Sequence, residues 1–159
     1  MVLGNDLKIL TAIAAFQMCS TGVAVADAMI SKAEAYGSQY HLMDHNGQCA
    51  VSLDGTTPSL VLSLAAPCGF VSQDGVEAQI YDTGKVVHIA MVAGPPVPAD
   101  QISADSGFTA EQNCSHAGQP VMFDGQRLSL GEASIEPYMF CHNLGMDDLY
   151  FQDLMTSQK

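Results

Sequence analysis

QCAVSLDGTTPSLVLSLAAPC, residues Gln48 to Cys68, holds two runs of alternating apolar residues, a turn between them and a cysteine at each outer end. Side chains alternate across a strand with period two, so Cys49, Val51 and Leu53 share one face and Leu60, Leu62 and Leu64 share a face of the next strand. Asp54-Gly55-Thr56-Thr57-Pro58-Ser59 between them is turn chemistry, because Gly tolerates positive φ, Asp bonds its own backbone and Pro cannot continue a ladder. This is a hairpin, and Cys68 has the parity of the leucines. If Leu53 stands opposite Leu60, Cys49 stands opposite Leu64 and Cys68 lies roughly 13 Å further along the strand. A disulfide needs Cα atoms within about 7 Å. Either the chain bends back at Ala65-Ala66-Pro67, or the cysteines have other partners, such as the distant Cys141.

The cysteine count bears on the compartment. Met1 to Lys8 resembles a weak n-region, Ile9 to Phe16 is an apolar run, and Ala24-Val25-Ala26 is a small-residue cleavage signature, so residues 1–26 read as a secretory signal peptide. Gln17, Ser20 and Thr21 shorten the apolar run below the length that a membrane span requires. Phe16-Gln17-Met18 is too bulky before Cys19 for a lipid anchor there. Cys49, Cys68, Cys114 and Cys141 then remain in an exported chain, periplasmic or secreted, and an even count in that setting reads as two disulfides with three possible connectivities. The sequential pairing, Cys49 with Cys68 and Cys114 with Cys141, is the one retained, and it requires the bend at Pro67. Residues 27–159 read as one β-rich domain.

Five Lys and Arg face seventeen Asp and Glu in 159 residues, a net charge of −12, and only Lys8 and Asp6 of these lie in 1–26. Such a surface repels phosphate backbones and anionic headgroups, which argues against nucleic acid and membrane surfaces as partners. The same field speeds encounter with a basic protein.

Asp27 to Tyr36, DAMISKAEAY, is rich in Ala and ends at Gly37, so it suggests a short helix or a frayed lead-in. Glu77 to Tyr81, the turn Asp82-Thr83-Gly84 and Lys85 to Val92 form a second hairpin. The last of these is apolar on both faces from Val86 to Val92, which marks a central strand covered on both sides. A third hairpin joins Val121 and Phe123 to Leu128 and Leu130 through Asp124-Gly125. Pro137 to Cys141 reads as a final strand, and Met146 to Met155 as a helix with Met146, Leu149, Tyr150 and Leu154 on one stripe and Asp147-Asp148 in its first turn. About seven short strands with a C-terminal helix imply a mainly β protein, a disulfide-tied β-sandwich or a small antiparallel barrel.

Three prolines in four positions, Pro95, Pro96 and Pro98, end any ladder, and the sequence is irregular from there to Asn113. A loop of that length inside a compact domain is functional or poorly ordered. Residues 93–113 are therefore the candidate contact surface, with Asp100, Asp105 and Glu111 as its acidic members. His41 and His45, spaced i, i+4, and His116 and His142, each near a cysteine, are the candidate ligands for copper or zinc. Asp44-His45-Asn46-Gly47 opens like a calcium loop but lacks the later ligands. No G-x-S-x-G, H-E-x-x-H or paired C-x-x-C is present. Three functions follow: an exported, non-catalytic protein-binding module needing no cofactor, for instance an inhibitor or immunity-type protein for a basic partner; a periplasmic metal-handling protein; and a secreted hydrolase without a local motif.

Overall fold

The computed structural model describes residues 29–84 and 87–157, with the side chains of 134–138 and 154–157 outside the description. The proposed signal peptide lies outside the described residues. Two antiparallel sheets face each other. The first has the order β1-β2-β3-β4, from Lys32–Ala35, Ser38–His45, Gln48–Ser52 and Leu60–Ala65. The second is built from β5 (Gly69–Phe70), β6 (Ile80–Asp82), β7 (His88–Ala93), β8 (Cys114–Phe123), β9 (Leu128–Leu130) and β10 (Ser134–Cys141). Here β7 and β8 are central: β5 and β6 pair with β7, and β9 and β10 with β8. One helix, α1 (Asp148–Ser157), follows. The protein is a disulfide-tied β-sandwich and not a closed barrel. Among the described residues no helix is long and apolar enough to cross a membrane.

The two-sided apolar character of the Val86–Val92 run has a direct structural reason. Ala90 and Val92 of β7 join Tyr40, Val51, Leu62, Leu64, Phe70, Val121 and Phe123 in the core between the sheets. Ile89, Met91 and Ala93 point the other way and pack with Val71, Phe140 and Phe151 of α1. The second sheet is thus a middle layer, with the first sheet on one face and the helix on the other. Gln119, almost fully buried, links the layers by accepting from the Ser63 N–H of β4 and donating to the Gly131 carbonyl.

The opening hairpin differs from its expected register. Val51, not Leu53, pairs with Leu60, and a bulge between Gln48 and Ala50 follows. The reason is local: Asp54 Oδ1 accepts from Thr56 N, Thr57 N and the Ser52 hydroxyl, which lifts Leu53 out of the ladder and leaves it 54% exposed. Ser72, Asp74, Val76 and Glu77 repeat the same bonding pattern after β5. Asp124 accepts from Gln126 and Arg127 N–H groups between β8 and β9. The bend at Pro67 is present, with a cis Ala66–Pro67 peptide, and Cys49 and Cys68 are bonded with Cα atoms 6.2 Å apart. Cys114 and Cys141 are bonded as directly opposed residues of β8 and β10.

Two other expectations are corrected. The segment read as a short helix or frayed lead-in carries β1, because Ala33 and Ala35 alternate with exposed Lys32 and Glu34 and enter the core while the strand pairs with β2. Tyr36 and Gly37, both at positive φ, make the tight turn between them. The stripe expected for α1 holds in part: Met146 and Tyr150 pack against the second core, but the most buried residue lies outside it. Phe151 is fully buried and stacks on Tyr81 at 5.1 Å, whereas Leu149 is 66% exposed. Asp147 stands just before the helix and accepts from Leu149 N, capping its first turn.

Candidate functional site

The chain between β7 and β8 is long but built. Gly94 N donates to Ala117 O and Val97 N to Cys114 O, tying the start of the segment to β8, and His142 N donates to Asn113 O at its end. Between them lie three single-turn 3-10 segments, Ala99–Gln101, Ala104–Ser106 and Ala110–Gln112. Ser103 caps the second through Asp105 N, and Thr109 and Gln112 form a reciprocal capping box around the third. Asn113 closes it in a left-handed conformation, and Cys114 enters the disulfide immediately afterwards. Side-chain oxygens do here what a ladder does elsewhere: they satisfy backbone donors, and a long irregular segment acquires a defined shape.

Asp100, Asp105 and Glu111 are all exposed on this loop. The Glu111 carboxyl is held below its usual range by its own backbone N–H and the Thr109 hydroxyl. From 86 to 126 the chain carries no Lys or Arg, so the loop's charge is uniformly negative. Asn143, from the turn after β10, donates to the Glu111 carbonyl at 2.8 Å and fixes the far end of the loop.

Two hollows flank the loop. A recess of about 210 Å³ has Val97, Gln101, Ile102, Ser103 and Ser106 as its loop wall, with His116 of β8 and Met139 of β10 completing it. Its lining is mostly apolar. The other is a polar cleft of about 430 Å³, bounded by Met29, Ile30, Gln73, Asp74, Gly75, Asn113, His142 and Asn143. Asp74 stays anionic there, since the Val76 and Glu77 N–H groups and the Ser72 hydroxyl hold its pKa down.

His142 forms the inner part of that cleft. Its Nε2 lies 3.1 Å from the Gly94 carbonyl, which can only accept, so Nε2 carries the proton. Burial pushes its pKa down against the opposing effect of that bond, and the neutral ring leaves Nδ1 as a bare acceptor. Nδ1 and the Oδ1 of Asn143 are both buried without a hydrogen-bond partner. Gly69 makes room for the ring: a Cβ there would sit 2.7 Å from His142 Nδ1 and 2.8 Å from Met29 Cβ.

The four histidines do not converge. His41 and His45 lie on one strand, β2, where a spacing of four places them roughly 13 Å apart. His41 packs toward Gly55, and His45 is 3.4 Å from the Asn46 amide. The Cys114–Cys141 disulfide brings their strands together, yet His116 faces the apolar recess and His142 the polar cleft. Among the described residues no group of three or more His, Cys, Asp or Glu is close enough to hold an ion. The loop acids, by contrast, share one segment. Sequence reasoning missed Val97, Ile102 and Met139 as a recess and Asn143 as an anchor. Ile102 between Asp100 and Asp105 was the available signal, a large aliphatic residue in a mostly polar run.

No family model, no curated protein and no solved structure matches the chain.

Proposed function

We propose that the protein is an exported, non-catalytic binding module, of the inhibitor or immunity type, whose acidic 93–113 loop engages a basic protein in the periplasm or outside the cell. The observation that carries this reading is the loop itself: a capped, disulfide-anchored segment that presents Asp100, Asp105 and Glu111 over a stretch without Lys or Arg. Loops held by a rigid scaffold are where proteins commonly place recognition. A single-sign charge field raises the encounter rate with a partner of opposite sign. Two disulfides support an oxidising compartment.

The test compares the native chain with an Asp100→Lys, Asp105→Lys, Glu111→Lys variant, each immobilised and challenged with native extracts at low and high salt. These side chains are exposed, so the variant is expected to fold normally by circular dichroism. A basic protein retained by the native chain, released by salt and absent from the variant is the expected result. Identical sets of proteins on both columns would overturn the proposal.

A further inference from the structure

The apolar recess beside the loop is open to solvent, and its apolar lining is only partly covered. Val97 and Ile102 are only half-buried in its wall, and Met139 is half-buried opposite them. At about 210 Å³ it is smaller than the roughly 300–1,000 Å³ of sites that enclose a whole small molecule. Its size suits one side chain of a larger partner. Gln101 and Ser106 line it while Asp100 and Asp105, their immediate neighbours in sequence, are exposed, so carboxylates stand beside an apolar hollow. Charge at the rim and an apolar pocket at the centre is the arrangement in which interfaces place an anchor residue.

We infer that this recess is a socket for one large apolar side chain, Leu, Met or Phe, borne by a partner segment that carries Lys or Arg next to it. The inference rests on the proposed recognition of a basic protein and adds to it the feature that decides which basic segment is accepted. Charge alone attracts any cationic surface. The socket selects among them, because a segment lacking the apolar residue leaves Val97, Ile102 and Met139 in water, and one with an acidic neighbour is repelled by the negative field of the loop.

The probe is a random-peptide display library selected on the purified full chain, followed by titration of synthetic copies of the selected peptides. Enriched sequences are expected to hold a large apolar residue flanked by Lys or Arg. Replacing that residue with Ala should weaken binding at least about tenfold. Ile102→Asp is the informative variant, since it removes the apolar wall while keeping the sign of the charge. It should lose the selected peptides by a similar factor, and in the native chain the methyl resonances of Val97, Ile102 and Met139 should shift on peptide addition. A basic consensus with no apolar position, or unchanged binding by Ile102→Asp together with no shift at those methyls, would overturn the socket and leave recognition by charge standing. A consensus without Lys or Arg would overturn both. Failure to enrich any sequence would overturn the socket alone, recognition of a basic protein being decided by the charge-reversed loop.

Discussion

His142 shows how one side chain joins the loop to the sandwich. Its ring donates to Gly94 at the start of the 93–113 segment, its backbone N–H bonds Asn113 O at the end, and its carbonyl receives Ser72 N. The ring is buried and its pKa lies below the ordinary 6.5. Above about pH 6.5 it is neutral in the folded and unfolded states alike. As pH falls below that value the unfolded chain takes up the proton first, so stability is lost across the window between the unfolded and the folded pKa. Thermal unfolding between pH 7 and 5 should therefore show a falling midpoint that is shallower in His142→Gln, whose amide can still donate to Gly94. Equal slopes for the two proteins would show that the ring does not contribute. Gln119 is the other residue with a disproportionate part, because it answers Ser63 N and Gly131 O from between the layers. Gln119→Leu fills the space but strands both groups, at a cost of about 1–3 kcal/mol for each, read from the denaturant midpoint. No change in midpoint would mean that water replaces the amide.

Among the elements, α1 has Phe151 as the most deeply buried of its described side chains. Phe151 is fully buried against Val71, Ile89, Met91 and Phe140, while Leu149 on the same helix is exposed. Phe151→Ala should destabilise the protein by about 3–5 kcal/mol in chemical unfolding, and Leu149→Ala should change it by less than about 0.5 kcal/mol. Similar losses for the two would place the helix the other way round. That face was not readable from helical spacing, since Met146, Leu149, Tyr150 and Leu154 also make an apolar stripe. The choice belongs to Tyr81 and Phe140 on the sheet, which present an aromatic surface that Phe151 and Tyr150 meet. The strand at Lys32–Ala35 was hidden for a related reason. Alanine favours helix in isolation, yet the alternation Lys32-Ala33-Glu34-Ala35 carries the period of a strand, and pairing with β2 decided between them. Where both local chemistry and pattern agreed, as at Asp124-Gly125 between β8 and β9 or in the apolar faces of β7, the sequence was sufficient.

For the molecule as a whole, the sandwich, its two disulfides and its C-terminal helix were legible because hydrophobic period and cysteine count are properties of the chain. The bend that lets Cys68 reach Cys49 was legible as a geometrical necessity, although the hairpin register beneath it was not, because a bulge and the Asp54 turn change the count of residues. The proposed contact surface was legible only as an acidic, irregular loop. Its apolar recess depends on His116 and Met139 from two strands that the loop crosses, a juxtaposition no local pattern encodes. The same architecture explains why recognition should tolerate change elsewhere: the loop is held at its two ends by β8, the Cys114–Cys141 bond and Asn143. The most direct measurement is hydrogen–deuterium exchange of the chain alone and saturated with the basic protein that it captures. Protection confined to residues 97–113 and the adjoining part of β8 is expected. Protection centred on the Asp54 hairpin or the edge of β4, with exchange in 97–113 unchanged, would contradict the assignment of the loop as the binding surface.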